Sequence, residues 1–215
     1  MADFIRARSA EQKAQRFEQI KAVARRQFSR RPYYEITLTT LAEELGWSRA
    51  SLYRYVSTKE EIFLLIAGDE CAGYFDALLA ALPDGPAESA EALAEVWADV
   101  ADAHRDWFRV SDLLPAVVEA NVTTERLAAY KLVYHDHLER VVPRVAAAAG
   151  VTRDQALRLV RAVTYHAIGV AGRCRSNPVE RAALDSIGMS PEEPDFRSEV
   201  ARFARAGVAG LTCGE

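Results

Sequence analysis

The sequence is poor in cysteine and in long apolar runs, and both shortages limit what the protein can be. Only three of its 215 residues are cysteines, and Cys71, Cys174 and Cys213 form no CxxC pair. Neither a disulfide framework nor a zinc site is therefore indicated, and a reducing compartment is expected. No run of 18 apolar residues occurs, and the charged N-terminus does not resemble a secretory signal. We expect a cytoplasmic protein with no membrane-spanning segment.

Motifs of the common enzyme classes are missing as well. The sequence contains no G-x-S-x-G, no P-loop, no dinucleotide fingerprint and no H-E-x-x-H. His135 and His137 are two positions apart, so on a helix they point to different faces and make a poor metal pair. We expect no metal and no cofactor, and a helical enzyme is kept only as an alternative.

Positive charge is concentrated in the first quarter of the chain. Residues 1–60 contain 12 Lys and Arg against 7 Asp and Glu, and the remaining residues contain 15 against 24. The two parts therefore carry +5 and −9, which sum to the net charge of −4. This asymmetry predicts an anion-binding part, with nucleic acid as the first candidate, joined to a body with another task. A nonspecific DNA-binding protein is a further alternative, although it would need no acidic body.

Apolar residues recur at three- and four-residue steps along nearly the whole chain, and strand-like alternation is confined to a few residues. An all-α fold is therefore predicted. A first helix is expected over about residues 10–30, and a Ser57–Glu60 capping box is expected to open a long helix. Another helix is expected over residues 88–109, and a later one should bend or end near Pro143. Further capping signals are at Thr123 or Thr124 and at Thr152 to Gln155.

The segment "LTTLAEELGWSRASLYRYVS", residues 38–57, has the pattern of a helix-turn-helix unit. Thr37 and Ser48 are placed to cap its two helices. Gly46 stands where the chain must leave the first helix, a position that commonly needs positive φ. Successive residues of a helix are rotated by 100°, so if Leu52 faces the core, the opposite face of the helix is exposed. That face is basic and carries small residues. The residues of that face are Arg49, Ala50, Ser51, Tyr53 and Arg54.

The longer stretch "ITLTTLAEELGWSRASLYRYVSTKEEIF" resembles the N-terminal domain of the tetracycline-repressor (TetR) family of bacterial regulators. The agreement covers about residues 10–65. The matching positions are Thr37, Ala42, Gly46, Ser48, Arg49, Leu52, Tyr53, Tyr55, Lys59 and Glu60. Ala50, Val56 and Pro32 depart from the usual family residues. The resemblance implies a three-helix DNA-binding domain over residues 1–58 and a helical effector-binding and dimerisation domain over residues 59–215.

The resemblance further implies a homodimer that binds a pseudo-palindromic double-stranded DNA operator, most simply as a repressor released by a small-molecule effector. The residues expected to contact DNA are Thr37, Thr39, Ser48, Arg49, Ala50, Ser51, Tyr53, Arg54 and Lys59. Aromatic stripes with polar groups in the body predict the effector pocket, although for any one residue an ordinary core position is the alternative. The predicted effector residues are Phe75, Trp97, Val100, His104, Tyr130, Tyr134 and Tyr165.

Two late helices, near residues 157–172 and 196–211, carry small residues in "AIGVAG" and "RAGVAG". Small residues let partner helices approach closely, so these helices are predicted to form the dimer interface. Ala167 and Gly207 are the positions chosen to test it. The helix that begins at Lys59 is expected to couple effector binding to DNA binding.

Overall fold

The computed structural model describes residues 2–174, 178–191 and 194–212. These residues form α-helices joined by short turns of 3-10 and π-helix, and they contain no strand, which confirms the all-α prediction. The helices are α1 (Ala2–Arg30), α2 (Leu38–Leu45), α3 (Arg49–Tyr53), α4 (Lys59–Ala81), α5 (Ala90–Ala103), α6 (Arg105–Ser111), α7 (Thr124–Ala149), α8 (Arg153–Arg173), α9 (Pro178–Ser186) and α10 (Phe196–Thr212). Of the helices in this described part, none has both the length and the apolarity needed to cross a membrane.

The chain divides into two compact units, and the division differs from the predicted boundary after residue 58. The first unit contains residues 1–68 and 114–130, and the second contains residues 69–113 and 131–215. The beginning of α4 belongs to the first unit because Phe63 packs edge-on against Phe28 and Tyr33, with ring centroids 5.3 and 4.9 Å apart. Both α4 and α7 therefore contribute residues to each unit.

The helix ends of the helix-turn-helix segment follow the predicted local signals. Thr37 Oγ1 accepts a hydrogen bond from the Thr40 backbone N–H at 3.1 Å, and Ser48 Oγ accepts one from the Ser51 N–H at 3.1 Å. Gly46 ends α2 with φ of 67° and ψ of 27°, a left-handed conformation that favours glycine. The predicted caps of α2 and α3 and the glycine turn between them are thus confirmed.

The predicted capping box at the start of α4 is wrong by one residue. Thr58 Oγ1, rather than the Ser57 hydroxyl, accepts from the Glu61 N–H at 3.2 Å, while the Ser57 N–H donates to the Glu61 carboxylate at 3.0 Å. Glu60 instead accepts a hydrogen bond from the Tyr33 hydroxyl at 2.8 Å. Because a hydroxyl and a carboxylate are each available at two adjacent positions, the sequence pattern fits either register.

The second unit is built on a buried aromatic cluster. Tyr74 stacks on Trp107 with centroids 4.5 Å apart and packs edge-on against Phe75 and Phe108. Trp97 is fully buried in the same core, and α10 packs against both α5 and α8. Burying side chains of this size contributes a large share of the hydrophobic stabilisation of a unit.

One predicted helix bound is corrected, and one of two alternatives for a second helix is excluded. The helix expected over residues 88–109 is broken at His104, whose N–H is shared between the Val100 and Ala101 carbonyls at 3.1 and 3.2 Å. No proline or glycine marks this break in the sequence. The helix α7 continues through Pro143 to Ala149, so the predicted end at Pro143 is wrong, while a bend there stays a prediction.

Ala167 is buried inside the protomer and the half-buried Gly207 packs closely against α8, so they are not suitable test positions for a dimer interface. Ala167 is fully buried, and a Cβ added to Gly207 would lie 2.7 Å from Leu159 Cδ1. These positions serve the packing of α8 and α10 within one chain. A charged residue at either position would disrupt this packing before it could report on a second copy.

Candidate functional site

The outward side of α3 has the exposure that its helical phase predicts except at Ser51, which is half-buried. Leu52 is fully buried and holds the short helix in place, whereas Arg49, Ala50, Tyr53 and Arg54 are exposed. These four residues are called the α3 outer face below. The face presents two guanidinium groups, a phenol and a small residue to solvent. Such groups can donate to base edges and phosphate oxygens while allowing close approach.

The hydroxyl residues around α3 have structural partners. Ser48 Oγ lies 2.9 Å from Ser51 Oγ, so the two hydroxyls form a pair next to the α3 outer face. Thr37 is exposed but is engaged in its capping box, and Thr39 is half-buried. These side chains fix the backbone beside the α3 outer face.

Lys59 is placed differently from an exposed phosphate-binding lysine. Its Nζ donates to the Tyr33 and Ile36 carbonyls at 2.9 and 2.8 Å and lies 4.0 Å from the centre of the Tyr33 ring. Burial lowers the pKa of this ammonium below its ordinary value. Lys59 therefore joins the start of α4 to the segment before α2 and keeps one N–H proton for any other acceptor.

A groove beside α3 was missed by the sequence reasoning. Its larger part, about 670 Å³, is lined by Gln12, Lys13, Gln15, Arg16, Gln19, Arg54 and Tyr55. Its smaller part, about 390 Å³, is lined by Arg16, Gly46, Trp47, Ser48, Ser51, Arg54 and Tyr55. The two parts together are called the α1 groove below. The available signal was the polar spacing of Gln12, Arg16 and Gln19, which recur at helical steps on α1.

Arg16 is held in this groove by an aromatic neighbour. Its guanidinium lies 4.8 Å from the centre of the Trp47 ring, and NH1 donates to Gln19 Oε1 at 3.2 Å. Trp47 in turn contacts Tyr55 with centroids 5.8 Å apart. The contact of an arginine with an indole face restrains the side chain without neutralising its charge.

A polar cluster joins α1 to α2. Gln27 Nε2 donates to Glu44 Oε2 at 2.8 Å, and Arg26 Nε donates to Glu44 Oε1 at 3.0 Å. The hydrogen bond from Gln27, with help from Arg26, lowers the pKa of the Glu44 carboxyl below its ordinary value. The cluster fixes α2, and through the Gly46 turn it helps to position α3.

Residues 114–130 supply partners to the start of α4 within the first unit. The Glu61 carboxylate is almost fully buried and lies 3.4 Å from Arg126 Nε. Thr58 Oγ1 donates to the Asn121 carbonyl at 3.4 Å. A buried carboxylate is costly without a partner, so these contacts tie the two segments together.

In the second unit, several predicted effector residues belong to one aromatic core. Trp97 Nε1 donates to the Tyr74 hydroxyl at 2.8 Å, and Phe75 packs edge-on against Tyr134 with centroids 5.8 Å apart. Val100 and His104 are half-buried, and the His104 ring lies 6.3 Å from that of Tyr74. Burial raises the pKa of Tyr134 to about 12, so its phenol is neutral at ordinary pH.

Two predicted effector residues are placed apart from this packed core. Tyr165 is 65% exposed on α8. Tyr130 is buried but belongs to the first unit, where its ring lies beside Gly68.

Four buried polar atoms on α6 and α8 have no hydrogen-bonding partner among the described residues. They are Trp107 Nε1, Ser111 Oγ, Thr164 Oγ1 and His166 Nε2. α6 and α8 pack against each other, and Trp107 stacks on Tyr74 in the aromatic core. Buried donors normally find acceptors, so unpaired ones indicate places where a ligand or water could bind. The described residues hold no group of three or more His, Cys, Asp or Glu that could bind a metal ion.

The chain matches two family models. "Bacterial regulatory proteins, tetR family" matches residues 20–66, and "Tetracyclin repressor-like, C-terminal domain" matches residues 69–215. A solved bacterial regulatory protein in the tetR family from Rhodococcus RHA1 has a similar fold, with a TM-score of 0.62 and 18% sequence identity. That similarity covers 93% of this chain and 98% of the Rhodococcus chain. A comparison with curated proteins finds no match.

Proposed function

Because the chain belongs to the tetR family of bacterial regulators and is therefore a DNA-binding transcription regulator, we propose that it is a cytoplasmic homodimeric repressor. In this proposal it binds a pseudo-palindromic operator and leaves it when a small molecule binds. The observation that carries the proposal is the α3 outer face, which is exposed, basic and fixed from behind by the buried Leu52.

We infer that Arg54 and Tyr53 contribute most to sequence recognition. Arginine can form a two-pronged hydrogen bond with guanine, and tyrosine can donate to phosphate oxygen. The small side chain of Ala50 lets the backbone approach the base edges. The hydroxyls of Thr37 and Ser48 act mainly by holding α2 and α3 in shape, as their hydrogen bonds indicate.

The proposed dimer interface uses the exposed sides of α8 and α10. On α8, Ala162, Tyr165 and Gly169 are exposed at helical spacing, and a Cβ added to Gly169 meets nothing within 4 Å. On α10, Ala206 and Gly210 are exposed in the same manner. A two-fold dimer would place two copies of α3 about 34 to 36 Å apart, or a multiple of it, and so match a pseudo-palindromic operator.

The proposed effector is a mainly apolar, neutral or cationic molecule that carries hydrogen-bond acceptors. The aromatic core supplies the apolar surface, and the unpaired groups of Trp107, Ser111 and Thr164 supply donors. Neutral phenols such as that of Tyr134 add to this set. The acidic body disfavours an anion.

Coupling between effector and operator is proposed to involve both helices that contribute to the two units, α4 and α7. Phe75 on α4 contacts Tyr134 on α7 in the second unit, and Glu61 on α4 contacts Arg126 on α7 in the first. A ligand that shifts either helix would therefore act on the helix-turn-helix unit. A coupling of about 1 to 3 kcal/mol would weaken operator binding about 5- to 150-fold.

Selection of duplexes from a random-sequence DNA pool with the full-length protein tests the DNA part of the proposal. We expect enrichment of an inverted repeat, and Arg54→Ala should then cost about 1 to 3 kcal/mol on the enriched sequence and less on random DNA. No enrichment of any sequence would refute the regulator that is proposed.

A thermal-shift screen of small molecules tests the effector part. A ligand at 100 times its Kd raises the free energy of unfolding by about 2.7 kcal/mol, which the screen detects. Thr164→Val keeps the side-chain shape and removes one donor, and Trp107→Phe removes the indole donor while keeping an aromatic ring at that position. We expect both variants to lose affinity for the ligand found and to keep the parent's affinity for DNA. Ligand binding that is unchanged in both variants would contradict this placement.

A further inference from the structure

We propose that the side of α1 between Gln12 and Gln19 is a second DNA-contacting element, which binds the phosphate backbone beside the sequence read by α3. This inference rests on the proposed function, because it adds contacts to the same duplex. It concerns the α1 groove, whose two parts share Arg16, Arg54 and Tyr55. Since Arg54 also belongs to the α3 outer face, DNA bound to that face would lie next to the α1 groove.

The charges of the α1 groove fit a polyanion. Its lining residues include the cations Lys13, Arg16 and Arg54, and among the described lining residues none is a carboxylate. The acids of this part of α1, Glu11 and Glu18, lie about 100 to 120° around the helix from Gln12. A groove with three cations and no acid attracts phosphates over a range of several ångströms.

The neutral lining residues suit a sugar-phosphate backbone as well. Gln12, Gln15 and Gln19 add amide groups that donate and accept, and all three are exposed. Half or more of the hydrogen bonds in protein–DNA complexes go to phosphate and sugar, and amides and arginines supply many of them. The open form of the groove and its few apolar side chains fit an extended backbone better than an enclosed apolar ligand.

Arg16 is pre-positioned for such a contact. Its stacking on Trp47 and its hydrogen bond to Gln19 restrict its rotamers before DNA arrives. Ordering a long side chain on binding costs free energy, so a restrained guanidinium binds phosphate more favourably than a mobile one. The helical backbone of α1 continues from Gln12 back to Ala2, about 15 Å further along its axis. This length would extend the protein along flanking DNA.

The test combines Lys13→Gln with Arg16→Gln in the full-length protein. The control combines Arg30→Gln with Arg31→Gln, which removes the same charge from exposed positions at the other end of α1. Binding is measured by fluorescence anisotropy over a range of salt concentrations. The probe is a duplex of about 40 base pairs, or four helical turns, that carries the enriched sequence at its centre. A random duplex of the same length is measured in parallel.

We expect the slope of log K against log salt to become shallower by about 0.9 for each phosphate that the variant no longer neutralises, on both duplexes. Arg16→Lys should restore part of the slope, and the control should keep the parent's slope. On a duplex trimmed to about 20 base pairs, or two turns, parent and variant should differ less, because flanking phosphates are removed.

Two outcomes would overturn the inference. One is a slope in the double variant equal to that of the parent on the long duplex. The other is an equally shallow slope in the control, since that would indicate general electrostatics rather than the α1 groove. Failure to enrich any sequence would refute the proposed function instead, and the random duplex would still report whether α1 contacts phosphates.

Discussion

Replacement of Gly169 by alanine distinguishes a solvent-facing α8 from one that is covered by a partner. Gly169 lies within a regular helix, it is exposed, and a Cβ built on it meets nothing within 4 Å in its own protomer. In a monomer, or in a dimer that leaves this face free, Gly169→Ala should stabilise the protein by about 0.5 to 1 kcal/mol through helix propensity. The methyl group would have no steric cost.

The expected result is the opposite if a second copy packs on this face. Helices that pack through small residues approach within about 8 Å of each other, and an added methyl then meets the partner directly. Overpacking of a close contact costs about 1 to 3 kcal/mol, which corresponds to a dissociation constant about 5- to 150-fold larger. Sedimentation equilibrium of parent and variant measures this constant.

Gly68→Ala is the matched control for Gly169→Ala. Gly68 also lies within a helix, α4, and its added Cβ would lie 3.9 Å from Tyr130 Cδ2, which is an ordinary van der Waals contact. We expect this variant to gain stability and to keep the parent's dissociation constant. The interface assignment would be refuted if Gly169→Ala behaved like Gly68→Ala, or if the parent itself sedimented as a monomer.

Three further predictions concern the first unit. Gly46→Ala should lower the free energy of unfolding by about 1 to 2 kcal/mol in urea titrations. The cost is backbone strain alone, because φ is 67° and no atom lies within 4 Å of the added Cβ. Gly46→Asn should cost less, and equal costs for the two variants would contradict this account. Lys59→Met should destabilise the DNA-free protein by about 1 to 3 kcal/mol, because the Tyr33 and Ile36 carbonyls lose their donor. If Lys59 only bound phosphate, its replacement would leave the stability of the DNA-free protein unchanged. The Glu44 carboxyl has a lowered pKa in the folded state, so its contribution to folding stability is present above its ordinary pKa of 4.5 and is lost as the pH falls through the lowered pKa. In an acid titration, Glu44→Gln should therefore lose less stability than the parent. A loss equal to that of the parent would argue against this role.

Local signals in the sequence were sufficient for the helix-turn-helix unit. The caps at Thr37 and Ser48 depend on residues three positions away, and the turn at Gly46 depends on the backbone of one residue. Such short-range chemistry is legible in a sequence without knowledge of the rest of the fold. The exposure of the α3 outer face then followed from the burial of Leu52 and the period of a helix.

Tertiary partners account for what the sequence could not predict. Nothing near Lys59 in the sequence indicates that the Tyr33 and Ile36 carbonyls will accept two hydrogen bonds from its ammonium group. Those atoms come together only in the folded unit. The stripe that contains Tyr165 was assigned to a pocket, yet a periodic pattern does not say which edge of a helix is covered. The break at His104 has no proline or glycine to announce it.

The discontinuous make-up of the first unit bears on how this protein could be recombined with others. A chimera that exchanged only residues 1–68 would bring Glu61 without Arg126. The transplanted module would carry a buried carboxylate with no counter-ion, which is a known cause of severe instability. Residues 114–130 therefore belong with residues 1–68 in any exchange of the DNA-binding unit, and moving both segments without the second unit takes three junctions, after residues 68, 113 and 130, rather than one.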